Sequence, residues 1–186
     1  MKKTGILICV FLLAAVAWTW RFCYVNEKYQ DNTVVEQVPA GQWADLTMAG
    51  QGYSIRVDGM EILEKTQAIQ TYMLTEEEGQ YLGDKVAIVS VTLRNHGDAQ
   101  NSIYPYSIKL ICLDNYATLS DAMMRCLYPE LDEDFAITLP EGSETSFVLA
   151  FDMDKKFFGA YTWRNLARRQ WYLNGWFEDR CINAEV

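Results

Sequence analysis

The sequence predicts an all-β domain, an antiparallel sandwich of two sheets, preceded by one N-terminal hydrophobic helix. Three features carry that prediction. Residues 5–20 carry no charge, the chain from Gln42 onward alternates apolar and polar side chains, and turn signals separate those runs with no long amphipathic helix between them. Half of the 186 residues are apolar and 13% are aromatic, so enough greasy surface exists to build a core.

Residues 1–23 read as a signal anchor. Lys2 and Lys3 form a positive start, and Arg21 closes the uncharged run. Ala15-Val16-Ala17 has the small residues of a secretory cleavage site, which would leave Trp18 as the new terminus. Against cleavage, Trp18, Trp20 and Phe22 prolong the run, and aromatic rings suit a membrane–water boundary. A span needs about 20 apolar residues, about 17 at the lower limit, which residues 4–20 reach. The expectation is therefore a single-pass membrane protein, with secretion after Ala17 as the alternative. In both cases the lysines keep the amino terminus inside and the body is extracytoplasmic. Cys9 and Cys23 follow Leu7-Ile8 and Arg21-Phe22, neither of which suits lipidation. Residues 24–41, polar and holding Pro39 and Gly41, are expected to form a stalk, and residues 42–186 the domain.

Within the domain, residues 85–95 give the clearest strand. Ala87, Val89, Val91 and Leu93 share one side, with Val86, Ile88, Ser90, Thr92 and Arg94 on the other, and Asn95-His96-Gly97-Asp98 turns the chain. Residues 146–153 repeat the pattern, Phe147, Leu149, Phe151 and Met153 inward against Ser146, Ala150 and Asp152, after the turn Pro140-Glu141-Gly142-Ser143. Residues 52–63 carry Tyr53, Ile55 and Val57, a break at Asp58-Gly59, then Met60, Ile62 and Leu63. Residues 107–113 place Ile108, Leu110 and Cys112 on one face, and residues 134–139 and 170–177 complete the strands. Only residues 121–127 and 164–169 read as short helices. Two sheets of this kind bury their apolar faces against each other.

The strand Val86-Ala-Ile-Val-Ser-Val-Thr-Leu-Arg-Asn95 with its His-Gly-Asp turn resembles an immunoglobulin-like domain family of Gram-positive surface proteins and lipoproteins. So does Leu139-Pro-Glu-Gly-Ser-Glu-Thr-Ser-Phe-Val-Leu-Ala-Phe151, where a Pro-x-Gly turn feeds a strand ending in Phe. The fold is similar to that of a secreted mycobacterial antigen, and the likeness runs from about Gln42 to Ile182. It implies an immunoglobulin-like β-sandwich outside the cytoplasm and brings no catalytic residues with it. The chain departs from that family in lacking a lipobox and in its tryptophan-rich end.

Charge narrows the partners. All 25 acidic residues follow Tyr24, whereas Lys2, Lys3 and Arg21 precede it, so the remainder holds 13 basic residues and a net charge of −12. Such a body repels nucleic-acid backbones and anionic lipid, so no nucleic-acid partner is expected. Catalytic chemistry finds little. His96 is the only histidine and stands in a turn, where nothing holds it rigidly beside a nucleophile. Cys112, Cys126 and Cys181 form no C-x-x-C pair, so no zinc site is expected. The clusters Glu76-Glu77-Glu78, Asp132-Glu133-Asp134 and Asp152-Met153-Asp154 lack the ligand spacing and glycine of a calcium loop. No catalytic residue, metal or cofactor is expected. One disulfide is compatible with the spacing; both Cys126–Cys181 and Cys112–Cys126 are open, and Cys126–Cys181 is preferred.

The candidate surface is the carboxy-terminal stretch, where Tyr161, Trp163, Arg164, Arg168, Arg169, Trp171, Tyr172 and Trp176 gather aromatic rings and positive charge. Rings and guanidinium groups together suit recognition of a protein, or of a cell-wall glycan through stacking. Alternating aromatics on the last strands of a sandwich also suit its core. Trp163, Arg164, Arg168 and Trp171 are the binding candidates. The expected function is a non-enzymatic, membrane-anchored extracytoplasmic binding module. The alternatives are a small extracytoplasmic hydrolase using carboxylates or a metal, and an accessory subunit of a membrane complex.

Overall fold

The computed structural model describes residues 15–21, 36–47, 52–97, 102–112, 115–131, 134–175 and 180–185. The chain divides into two units, Met1–Val34 and Val35–Val186. In the first, residues 15–21 are helical. No helix among the described residues is long and apolar enough to cross a membrane. Most of the expected anchor at 1–23, and residues 24–35 of the expected stalk, lie outside the described residues.

The second unit is mostly β. Its strands are β1 (Glu36–Val38), β2 (Trp43–Asp45), β3 (Tyr53–Glu64), β4 (Lys85–Asn95), β5 (Lys109–Cys112), β6 (Asn115–Leu119), β7 (Glu144–Met153), β8 (Trp171–Asn174) and β9 (Arg180–Ala184). They form one nine-stranded mixed sheet in the order β1-β9-β8-β5-β6-β7-β4-β3-β2. Among the described residues only the β1–β9 pair is parallel. The expected pair of separate sheets is corrected here: the hydrogen-bonded ladder is continuous, because β6 bridges β5 and β7. The sheet curls nearly into a barrel, and the Met60 N–H on β3 donates to the Glu185 carbonyl just past β9 at 3.0 Å. Glu36–Val38, assigned to the stalk from sequence, is a strand of this sheet.

The three long strands match the two-residue rhythm. The break expected at Asp58-Gly59 is a β-bulge inside one continuous strand, and Asp58 turns its carboxylate to Arg56 and Thr92. β4 lies between the other two long strands, β3 and β7, and is covered on both sides, so Val86, Ile88 and Thr92 are buried along with Val89 and Leu93. Ala150 on β7, expected to face out, is buried too. Helices provide that second cover. Asp121–Leu127, as expected, is a helix; its cap is the Ser120 hydroxyl, and it buries Met123 and Met124. Lys65–Tyr72 and Glu76–Gln80 are helices that the strand reading did not include. The stretch expected as a strand at 134–139 is a loop tied by the single bridge Ile103–Ile137; Ile103 N–H and Ile137 N–H each donate to the other's carbonyl at 2.9 Å.

Across β9, β8, β5 and β6 the two faces differ sharply. Ile182, Leu173, Leu110 and Ala117 stand in register and all are buried. Their neighbours Asn183, Tyr172, Ile111 and Tyr116 form the adjacent row on the opposite face, and none is buried.

Candidate functional site

A cleft of about 710 Å³ lies on that open face. Ile111, Tyr172 and Asn183 form its floor, directly opposite one another across β5, β8 and β9. Its wall is the segment 167–170, which follows the helix Ala160–Arg164. Local bonding fixes that segment. Asn165 Nδ2 donates to the Tyr161 carbonyl at 2.8 Å, and Arg168 N–H donates to the Asn165 carbonyl at 2.9 Å. Leu166 is buried, and its carbonyl accepts from the indole Nε1 of the buried Trp171 at 3.0 Å. Two apolar anchors thus pin the segment from beneath, and the intervening Arg168 and Arg169 are left to line the cleft.

The electrostatics of the cleft follow from those arginines. Arg168 is exposed, and neither arginine has a salt-bridge partner among the described residues. Arg169 lies over the Tyr161 ring, its guanidinium carbon 4.9 Å from the ring centre. Arg169 Nε and Asn183 Oδ1 are both buried, and neither has a hydrogen-bond partner among the described residues. One is a donor and the other an acceptor, and each unmet buried group costs roughly 1–3 kcal/mol. Glu185 supplies a carboxylate to the lining.

Of the four residues singled out from sequence, only Arg168 lines this cleft. Trp171 is fully buried, which corrects its assignment to a surface: it shares the inward side of β8 with Leu173. Trp163 is half-buried, 5.8 Å from the Phe158 ring and capped by Lys85 Nζ at 5.5 Å. Arg164 is exposed and stands apart from the cleft lining. Trp176 lies outside the described residues. Arg169 and Tyr172, named in the wider patch, do line the cleft; Asn183 was not foreseen. Cys112, Cys126 and Cys181 are free thiols, so the preferred Cys126–Cys181 bond is absent. Burial pushes all three thiols above their ordinary pKa.

A second cleft, about 330 Å³, lies further along the same face. Tyr116, Phe157 and Phe158 surround Asn115, Thr118, Asp152 and Asp154. Asp152 stands opposite Thr118 across β6 and β7 and accepts from the Gly83 N–H at 3.1 Å. Burial raises its carboxyl above the ordinary carboxylate range, and the Gly83 bond only partly offsets that.

His96 brings a serine and an aspartate together, which the sequence did not reveal. Ser54 Oγ lies 3.2 Å from His96 Nδ1 and donates to Asp45 Oδ1 at 2.6 Å. The order is wrong for nucleophilic catalysis, where the histidine stands between serine and carboxylate. Here the serine is in the middle with its one proton committed to Asp45, so His96 has no proton to remove. Among the described residues no group of three or more His, Cys, Asp or Glu could hold a metal ion. Glu78 of the acidic run is engaged by its own helix cap, accepting from the Thr75 N–H at 2.7 Å.

Fold and site together define a mostly-β domain on one curled mixed sheet, with an arginine-lined cleft on its open face. The chain belongs to the family described as Domain of unknown function (DUF5028), which matches residues 33–174. It is similar to a functionally unknown protein from Listeria monocytogenes EGD-e, at 13% identity and a TM-score of 0.44, covering 71% of this chain and 70% of that one. It is also similar to the yjhA protein from Bacillus subtilis, at 11% identity and a TM-score of 0.41, covering 78% of this chain and 99% of that one. No curated protein matches the chain.

Proposed function

We propose that the chain is a non-enzymatic binding module, tethered by its N-terminal segment outside the membrane of a Gram-positive-type cell, that takes a carboxylate-bearing ligand in the Arg168–Arg169 cleft. The observation that carries this reading is that Arg168 and Arg169 line one cleft and neither has a salt-bridge partner among the described residues. A carboxylate accepts from both guanidinium groups, and an adjacent hydroxyl suits the amide side chain of Asn183 in the same lining. The location is supported by Lys2, Lys3 and the uncharged run behind them.

Calorimetric titration of the full chain in non-ionic detergent with gluconate, a small hydroxy acid, tests the site. Saturable binding is expected, weakened by about 10- to 150-fold in Arg169→Gln, the worth of a charge-assisted hydrogen bond of about 1.5–3 kcal/mol. No binding, or equal binding by the variant, refutes the reading. Protease digestion of a C-terminal tag on intact cells tests the location; a protected tag refutes it.

A second reading, carboxylate-dependent hydrolysis, draws on one observation. Asp152, whose carboxyl pKa burial raises, shares a cleft with a second carboxyl group, that of Asp154. Release of shortened products from wall glycans, abolished in Asp152→Asn, would favour it over binding alone.

A further inference from the structure

The two clefts lie on one face of the sheet, and a single cross-strand row joins them. Asn183 pairs with Tyr172, Tyr172 with Ile111, and Ile111 with Tyr116, so all four side chains point the same way. Asn183 closes the arginine end, and Tyr116 lines the second cleft. Neighbouring strands lie about 4.8 Å apart, so the row spans about 14 Å.

The two ends offer different chemistry. At the Asn183 end stand Arg168 and Arg169. At the other, Tyr116 and Phe157 are 54% and 63% exposed and line the cleft together with Asn115, Thr118, Asp152 and Asp154. Lys109 Nζ lies 4.8 Å from the Tyr116 ring centre and Lys156 Nζ 4.8 Å from that of Phe157, so each ring already has a cation beside it. Flat rings take the apolar face of a sugar. Asn115 and Thr118 both donate and accept, and Asp154 accepts, which suits hydroxyl groups pointing in several directions. The row between has the alternating polar and apolar character of Asn183, Tyr172 and Ile111, without a charge.

We infer that the two clefts are the ends of one groove, which holds an oligosaccharide carrying a carboxylate, with the acid between Arg168 and Arg169 and a neutral sugar ring against Tyr116 and Phe157. This rests on the carboxylate reading of the arginine cleft and extends it from a small acid to a chain. The charge of the protein selects among anionic polymers. A net charge of −9 repels a polyphosphate or a polyuronate at a distance. A lightly charged glycan meets less of that repulsion because it carries fewer charges, and its single carboxylate reaches the arginines within the Debye length of about 8 Å. Joining the two contacts in one ligand makes the second an intramolecular event, so affinity rises without any new contact at the arginines.

The test uses the full chain in non-ionic detergent and four probes. These are gluconate, uncharged cellotetraose, and tetrasaccharides of β-1,4-linked glucose and of β-1,4-linked N-acetylglucosamine, each of the last two oxidised to one terminal carboxylate. At least one acidic tetrasaccharide is expected to bind tenfold or more tightly than gluconate, and cellotetraose more weakly than its acid. The double variant Tyr116→Ala, Phe157→Ala should lose the gain of the long ligand while its gluconate affinity is unchanged. Arg169→Gln should weaken both. Gluconate binding with no gain for either acidic tetrasaccharide overturns the groove and leaves the arginine site standing. A gain that survives the double variant also overturns it. Absence of any acid binding removes the arginine site and the groove with it.

Discussion

The guanidinium carbon of Arg169 stands 4.9 Å from the centre of the Tyr161 ring, and Tyr161 is itself 73% exposed. A ring so exposed contributes little to the core. Its effect is to hold the arginine in the cleft lining, where Arg169 Nε is buried and has no hydrogen-bond partner among the described residues. Tyr161→Leu should leave the unfolding midpoint nearly unchanged. It should weaken gluconate binding by about 2- to 5-fold, the worth of a cation–π contact of about 0.5–1 kcal/mol at an exposed site. Tyr161→Phe should bind as the wild type does. Calorimetry on the three proteins checks this.

Trp171 acts from below the same cleft. Its indole is fully buried and donates to the Leu166 carbonyl at 3.0 Å. Trp171→Ala should destabilise by about 3–5 kcal/mol, the range for removing a large buried aromatic. Trp171→Phe keeps most of the ring volume and should cost less than half of that, yet still loosen the segment carrying Arg168 and Arg169. Urea unfolding monitored by circular dichroism, run beside gluconate titration, separates the two effects.

Much of the sheet was legible in the sequence because its three long strands are regular. Alternation located β3, β4 and β7, and the break it showed at Asp58-Gly59 is a bulge that shifts the apolar rhythm by one residue within a continuous strand. β1, at three residues, is too short to show a period, and its partner lies 144 positions away. The helix Glu76–Gln80 left a readable sign, Thr75-x-x-Glu78, which is a capping box. Alternation through Trp171, Tyr172 and Leu173 likewise already placed Trp171 with Leu173 on one side. Asn183 could not be found this way. Its place beside Tyr172 depends on the β8–β9 register, which no local pattern encodes.

Two glycines separate strain from collision. Gly175 has φ +122, and a Cβ there would come within 2.1 Å of the Ser107 carbonyl oxygen. Gly142 has φ +72 with nothing within 4 Å of such a Cβ. Gly142→Ala should cost only the left-handed penalty of about 1–2 kcal/mol. Gly175→Ala adds a backbone clash and should cost clearly more, or fail to fold. Thermal unfolding of both variants gives the comparison, and equal losses would contradict the contact at Ser107.

The thiols offer a chemical check on the absent disulfide. Cys112 and Cys181 are buried, Cys126 is half-buried on its helix, and burial raises all three above the ordinary thiol pKa. The thiolate is the reactive form, so alkylation of the native protein at pH 8 should be slow at Cys126 and slower still at the other two. In urea, without reductant, all three should react. Peptide mass analysis reads each site; a Cys126–Cys181 crosslink would appear as a linked peptide that reductant splits.

Asp152 gives the stability a pH dependence of unusual sign. Most carboxylates in folded proteins are stabilised by partners, so stability falls on acidification. Asp152 goes the other way: burial is the largest influence on it and raises its pKa, with the Gly83 N–H, Ser120 and Lys65 working against that and Asp154 adding to it. The folded protein therefore holds this proton more tightly than the unfolded chain does. As pH rises above about 4, the ordinary aspartate value, the unfolded chain releases its proton first. The contribution of Asp152 to stability then falls, until the pH passes the folded value and the loss is complete. Asn at this position cannot ionise and still offers an oxygen to the Gly83 N–H. Asp152→Asn should accordingly match the wild type near pH 4 and exceed it at pH 7, with the gap opening between. Denaturant unfolding of both proteins at half-unit intervals from pH 4 to pH 8 measures that gap directly. A difference that stays constant with pH would mean that the carboxylate is not desolvated in the fold, and one that closes as pH rises would mean that its charged form is the one the structure favours.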